Sequence, residues 1–141
     1  MIIKSSKAII TVNKKYLLQL RDNKKNIFFP GFWGLFGGRL DKNELHSKAI
    51  KREIKEETNL NVKVTRKILT VDFSMIGLKK ERNIIYFECK LLNVTKVILA
   101  EGQKCNFFSF NQIKKLKIVP MDFVAINCHY HKNKNFISFY R

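Results

Sequence analysis

Residues 37 to 60, GGRLDKNELHSKAIKREIKEETNL, carry four glutamates and one aspartate in a chain with only 11 acidic residues against 28 Lys and Arg. Glu53, Glu56 and Glu57 are the most crowded of them. At about 100° per residue on a helix, Glu57 falls about 40° to one side of Glu53 and Glu56 about 60° to the other. Lys48, Lys51 and Lys55 fall on the opposite side, whereas Ala49 and Ile50 share the carboxylate side, so this face turns toward the protein. Like charges four residues apart cost about 0.2–0.5 kcal/mol even in water, and more where the dielectric falls. A divalent cation removes that repulsion, and carboxylate oxygens are the ligands Mg²⁺ or Mn²⁺ prefers. The alternative is a set of solvated glutamates on a charged surface helix.

The element that positions these side chains is a helix. From His46 to Thr58 there is no Gly or Pro and helix formers are dense. Asn59 is a suitable terminator because Asn tolerates the left-handed conformation. Before the helix, residues 7–12 and 16–21 are short apolar runs separated by NKK and predict a hairpin or two adjacent strands. Residues 22 to 38 hold Pro30 and four of the six glycines among Phe28, Phe29, Phe32, Trp33 and Phe36, which predicts a loop followed by a short strand. After the helix, residues 62–76 and 82–92 are β-branched and aromatic and predict a long hairpin around GLKKE, with a further strand near 105–110. NQIKKL, from 111, opens a short helix. Pro120 begins a final one, whose apolar spacing is Phe123, Ile126, Tyr130.

The spacing around the acids is specific: Gly38, Glu44, then Arg52-Glu53-Ile54-Lys55-Glu56-Glu57-Thr58-Asn59-Leu60. It resembles the Nudix box of the Nudix hydrolase superfamily, G-x5-E-x7-R-E-U-x-E-E-x-G-U, at eight of its nine defined positions. Asn59 is the departure, standing where the pattern has Gly. GFWGLFGGRLDKNE and EGQKCNFFSF are similar to segments flanking the box in many members, so the resemblance spans most of residues 7 to 130.

The resemblance implies one domain over residues 1–141 of class α/β, an α/β/α sandwich around a mixed β-sheet. It implies divalent metal, Mg²⁺ or alternatively Mn²⁺, on Glu53, Glu56 and Glu57, with the backbone carbonyl near Gly37 or Gly38 as a further ligand. Arg52 would orient the glutamates, and Glu44 would position metal-bound water or Arg52. The catalytic base stays open among Glu53, Glu57 and Glu101. The implied activity is pyrophosphohydrolysis of a nucleoside diphosphate linked to another moiety, a nucleoside triphosphate or a nucleotide sugar. Capped RNA ends are a further substrate to consider, and a basic module that binds nucleotide or RNA without turnover is the rival.

For substrate contacts, Arg39 and Arg21 suit phosphates because the guanidinium fork binds oxyanions bidentately. Trp33 and Phe32 are candidates for stacking a base, against the alternative that they belong to the core. In CHYH, from Cys128 to His131, adjacent helical positions do not face a common point, so no metal site is expected. His46 reads as a helix-terminus residue.

Composition sets outer bounds. A chain of 141 residues that is 45% hydrophobic has the apolar content to fold as one globular unit. No apolar run approaches the roughly eighteen residues of a membrane span, no leader is visible, and three cysteines without C-x-x-C spacing predict a reducing, cytoplasmic setting. The net charge of +17 attracts anions. Lysines spread along the whole chain fit either a nucleic-acid footprint or a compositional bias. Monomer and homodimer are both consistent, with the N-terminal strand and the tail NFISFYR as dimer surfaces.

Overall fold

The first two strands, β1 (Ile2–Val12) and β2 (Lys15–Leu20), turn on Asn13 and Lys14, whose φ angles of 50° and 64° match the two left-handed positions of a tight hairpin. The computed structural model describes residues 2–25, 27–74, 81–92 and 104–131. Then follow β3 (Trp33–Gly34), β4 (Phe36–Arg39), α1 (His46–Thr58), β5 (Val62–Phe73), β6 (Glu81–Leu91), β7 (Lys104–Ser109), α2 (Phe110–Ile113) and α3 (Pro120–Tyr130). The expected turn at 77–80, Glu101 and the tail 135–141 lie outside the described residues.

One mixed sheet joins the strands in the order β3-β2-β1-β6-β5, with β4 also on β1 and β7 also on β2. β1 is its spine: it runs parallel to β6, from Ile2 opposite Glu81 to Ile10 opposite Cys89, and antiparallel to β4, from Ser5 opposite Arg39 to Ala8 opposite Phe36.

Alternating side chains feed two separate cores. Ala8, Ile10, Leu17, Phe36, Phe87 and Cys89 pack with Ile50 and Ile54 of α1. Ile9, Tyr16, Leu18, Leu35, Ile84 and Tyr86 pack with α2 and with Ala125 and Ile126 of α3. Both sheet faces are therefore covered, which explains why these strands read as nearly continuous apolar runs.

α1 occupies the residues that the sequence predicts. Asn59 ends it at φ 60°, its N–H donating to the Lys55 carbonyl, so Asn supplies the conformation usually left to Gly. In α3, Pro120 starts the helix as expected, but the buried face differs from the predicted one. Asp122, Ala125, Ile126 and His129 are buried, while Tyr130 is half exposed. The reason is that the two polar side chains are paired. Asp122 bonds Lys7 and Tyr86, and His129 Nδ1 and Nε2 lie 2.8 Å from Tyr16 Oη and 2.6 Å from a Glu88 oxygen. No helix among the described residues is long and apolar enough to cross a membrane.

Candidate functional site

Two glycines bring α1 against the sheet. A Cβ on Gly37 would collide with the Ser6 carbonyl of β1, and one on Gly38 would collide with the Glu53 carboxylate. At Gly37 only bare backbone lets β4 pair this closely with β1, whereas at Gly38 the contact is with the movable end of the Glu53 side chain. Seating of α1 is aided by the Ser6 hydroxyl, which donates to the His46 carbonyl, while His46 Nε2 lies 3.2 Å from Asn83 Oδ1.

Arg52 is the hub of the acidic region. Its Nε and Nη2 donate to the two oxygens of Glu44, each at 2.8 Å, the fork geometry that Arg provides and Lys does not. Nη1 donates to Glu53 at 3.0 Å and to Glu56 at 3.2 Å, and Nη2 also reaches the Arg39 carbonyl. Asp41 adds a contact at 3.3 Å. Glu44 is set by its own turn, in which its carboxylate accepts the Asp41 N–H. The hydrogen bonds from Arg52, then that from Asp41, hold the Glu44 pKa down near 2. Arg52 and Glu44 therefore form a fixed clamp under the helix.

Glu57 receives no such help. Burial, the charge of Glu53, a hydrogen bond with Glu53 and the charge of Glu56 push its pKa up to about 8, against a smaller opposing pull from Arg21. The crowding of carboxylates thus favours the protonated form of Glu57. Glu56 is drawn toward Arg52 and its side chain is 58% exposed. Consequently no three carboxylate, His or Cys side chains among the described residues converge on one point. The three box glutamates share a face, as their spacing requires, but the closed ligand set expected from the sequence is not preformed. The donor chemistry still fits a hard divalent cation: carboxylate oxygens beside bare glycine backbone, with negative charge in excess.

Gly38 also borders a cavity of about 160 Å³. Arg21, Arg39 and Arg82 line it with Lys7 and the rings of Phe28 and Phe29. Arg21 Nε donates to the Phe28 carbonyl, and the Arg82 guanidinium lies 4.3 Å from the centre of the Phe28 ring. Burial and the nearby Arg39 charge lower the Arg82 pKa, and Arg82 Nε is buried with no hydrogen-bond partner among the described residues. The cavity is thus an apolar slot ringed by cations, of which Lys7 is paired with Asp122.

The structure places Arg21 and Arg39 in the cavity beside Gly38, but not Trp33 and Phe32. Trp33 pairs with Leu20 in the sheet, bridges to Ile118 and packs edge-on to Phe108. Phe32 packs on Phe29 beneath the Lys117 ammonium. Phe28 and Phe29 take the lining position because the loop turns left-handed at Phe29 (φ 51°) and Gly31 (φ 74°). Lys7, Arg82 and Asp122 were not singled out by sequence. The one available signal was a lysine at the head of the apolar run 7–12 in β1, a strand whose side chains feed both cores.

A mixed sheet covered on both faces, with a glutamate-bearing helix held against a glycine pair, defines an α/β protein whose candidate active site lies at the end of β4. The chain belongs to the NUDIX domain family, whose model matches residues 4–126. It is 27% identical over 99 residues to the mouse (Mus musculus) oxidized purine nucleoside triphosphate hydrolase, covering 70% of this chain and 63% of that protein. Thus it spans less than two thirds of that relative. Among solved structures it is similar to a NUDIX hydrolase from Nitrosomonas europaea (TM-score 0.78, 19% identity, 95% and 91% of the two chains). It is also similar to the DNA mismatch repair protein MutT of methicillin-resistant Staphylococcus aureus 252 (TM-score 0.71, 28% identity, 90% and 94% of the two chains). Nudix hydrolases generally use divalent cations and act on nucleotide substrates.

Proposed function

We propose that this chain hydrolyses a phosphoric anhydride bond in a nucleoside diphosphate linked to another moiety, nucleoside triphosphates being the first class to test. The observation that carries this reading is the Glu53 and Glu57 pair, short of positive charge and bordering, through Gly38, a cavity lined by arginines and phenylalanines. Glu53, Glu56 and Glu57, with the backbone carbonyl of Gly37 or Gly38, would hold Mg²⁺. That cation supplies charge neutralisation at the diphosphate and a lowered pKa for the attacking water.

The chain's own residues do the rest. Arg21 and Arg39 grip phosphate oxygens and orient the anhydride. Arg52, clamped by Glu44, keeps Glu53 and Glu56 from swinging into solvent. Water attacks one phosphorus, the anhydride P–O bond breaks and the other phosphate leaves. The water proton passes to an ionised carboxylate of Glu53 or Glu57. Phe28 and Phe29 wall the remainder of the substrate from bulk water. The resemblance of the chain to a mouse oxidized purine nucleoside triphosphate hydrolase supports the triphosphate class.

The test is a panel of NTPs, nucleotide sugars, ADP-ribose, dinucleoside polyphosphates and capped RNA, incubated with Mg²⁺ and assayed for released phosphate, pyrophosphate and nucleotide. Release from at least one compound, abolished by chelation, is the expected result. Salt-sensitive RNA affinity with no release from any compound would replace the enzyme with a binding module.

A further inference from the structure

Beyond the acidic face lies a second charge cluster. Asp122 is fully buried, and each of its oxygens is bonded twice. Oδ1 accepts Lys7 Nζ at 2.9 Å and Tyr86 Oη at 2.6 Å, and Oδ2 accepts Lys7 Nζ and the Leu35 N–H, each at 2.9 Å. A carboxylate has about four lone-pair sites, so this one has nothing left to offer a ligand. Lys7 is different. An ammonium has three N–H donors; Asp122 engages it at both oxygens, no other acceptor among the described residues bonds it, and its side chain is 15% exposed and lines the cavity.

Register explains how a lysine is held here. Lys7 of β1 lies opposite Gly37 on one side and Tyr86 on the other. Asp122 comes up from the first turn of α3, because residues 117–119 run beside β3, where Trp33 N–H donates to the Lys117 carbonyl and Val119 N–H to the Trp33 carbonyl. Gly34 leaves room for the carboxylate, whose Oδ2 would be 3.0 Å from a Cβ at that position. The ammonium is thus fixed rather than free to swing away.

Every charged group that lines the cavity is a donor: Lys7, Arg21, Arg39 and Arg82. With Arg21 and Arg39 on the phosphates, a planar ring admitted between Phe28 and the apolar wall meets the charged donors Lys7 and Arg82, and the Ser5 hydroxyl, which can donate or accept, lines the same cavity. Guanine-type purines present adjacent O6 and N7 acceptors, and uracil or thymine an O4 acceptor; adenine and cytosine replace the carbonyl with an amino donor. We infer that Lys7, fixed by Asp122 and Tyr86, is a specificity-determining residue that selects keto bases over amino bases in the substrate. This rests on the nucleotide reading above and adds to it which bases are taken. Lys7 touches the base; Asp122 and Tyr86 are positioning residues.

ITP and ATP, which differ at C6, and UTP and CTP, which differ at C4, give the cleanest comparison. The full chain with Mg²⁺ should show kcat/KM roughly tenfold or more higher for ITP than ATP and for UTP than CTP, a factor set by one mispaired contact. Lys7→Met combined with Asp122→Asn, which leaves no unpaired buried charge, should bring both ratios near unity, chiefly through KM. Lys7→Arg should keep the preference. Equal wild-type rates, a preference for amino bases, or a preference surviving in a double variant shown folded by circular dichroism would overturn the inference. If no anhydride is hydrolysed, the enzymatic reading fails on its own, and equilibrium dialysis of IMP against AMP decides the subsite. Tighter IMP binding, lost in the double variant, supports it; equal binding overturns it.

Discussion

Two charged regions flank the Gly37-Gly38 strand, and they are built on opposite principles. At Lys7 and Asp122, each carboxylate oxygen has two partners and the pair is electrically balanced. Around α1, one guanidinium serves Glu44, Glu53, Glu56 and Asp41, while Glu57 lies outside its reach with its pKa raised by burial and by the charges of Glu53 and Glu56. A balanced buried pair is costly to break and poorly suited to chemistry. An unbalanced one is tolerated only where something else completes it, which is why the α1 face, rather than the better-ordered pair, is the place to expect catalysis.

The largest effect should separate the two regions by activity. Glu57→Gln should lower metal-dependent turnover by about 10²-fold or more, while leaving the unfolding free energy of the metal-free protein unchanged or slightly raised, because it relieves repulsion. Full activity in this variant would remove the distinction. Asp122→Ala should do the reverse in kind, costing about 3 kcal/mol or more in urea unfolding because it strands Lys7 in a largely buried site. A loss below about 1 kcal/mol would mean the pair is not structural.

Proton linkage gives opposite slopes for unpaired and paired carboxylates. Glu57 binds its proton more tightly in the folded chain, its pKa being raised from 4.5 to about 8. Its contribution is full below the unfolded value and is lost as pH rises from about 4.5 to about 8. At Glu88 burial acts to raise the pKa, but hydrogen bonds with Thr65, His129 and Arg66 outweigh it and hold the pKa near 2. Its contribution is present above about 4.5 and lost as pH falls toward 2. Urea unfolding of the metal-free protein across this range should show both slopes, and Glu57→Gln should erase only the alkaline one.

How much of this was legible in sequence follows the range of the interactions. α1 and its Asn59 terminus depend on neighbours a few residues apart, so spacing and capping chemistry give both. The Lys7 and Asp122 pair joins residues 115 positions apart, and no local pattern announces it. The buried face of α3 departs from its apolar spacing for the same reason, since Asp122 and His129 are buried where distant partners satisfy them. Composition marks residues 28–33 as aromatic, yet left-handed turns at Phe29 and Gly31 decide which rings reach the cavity.

The smallest effect concerns the box position that departs from the family pattern. Asn59 is already left-handed at φ 60°, so Asn59→Gly should raise stability by about 1 kcal/mol or less, visible in thermal unfolding, with turnover unchanged. A change in turnover would tie the helix end to the active face.

The cation site proposed on the α1 face sits where burial and the neighbouring carboxylates raise the Glu57 pKa to about 8, so a bound cation should displace a proton there. Calorimetric titration with Mn²⁺ near neutral pH, repeated in buffers of different ionisation enthalpy, counts the protons displaced on binding. Saturable binding with release of about one proton is expected, and no proton release from Glu57→Gln. Absence of binding, or equal proton release from the wild-type and Glu57→Gln proteins, would contradict it.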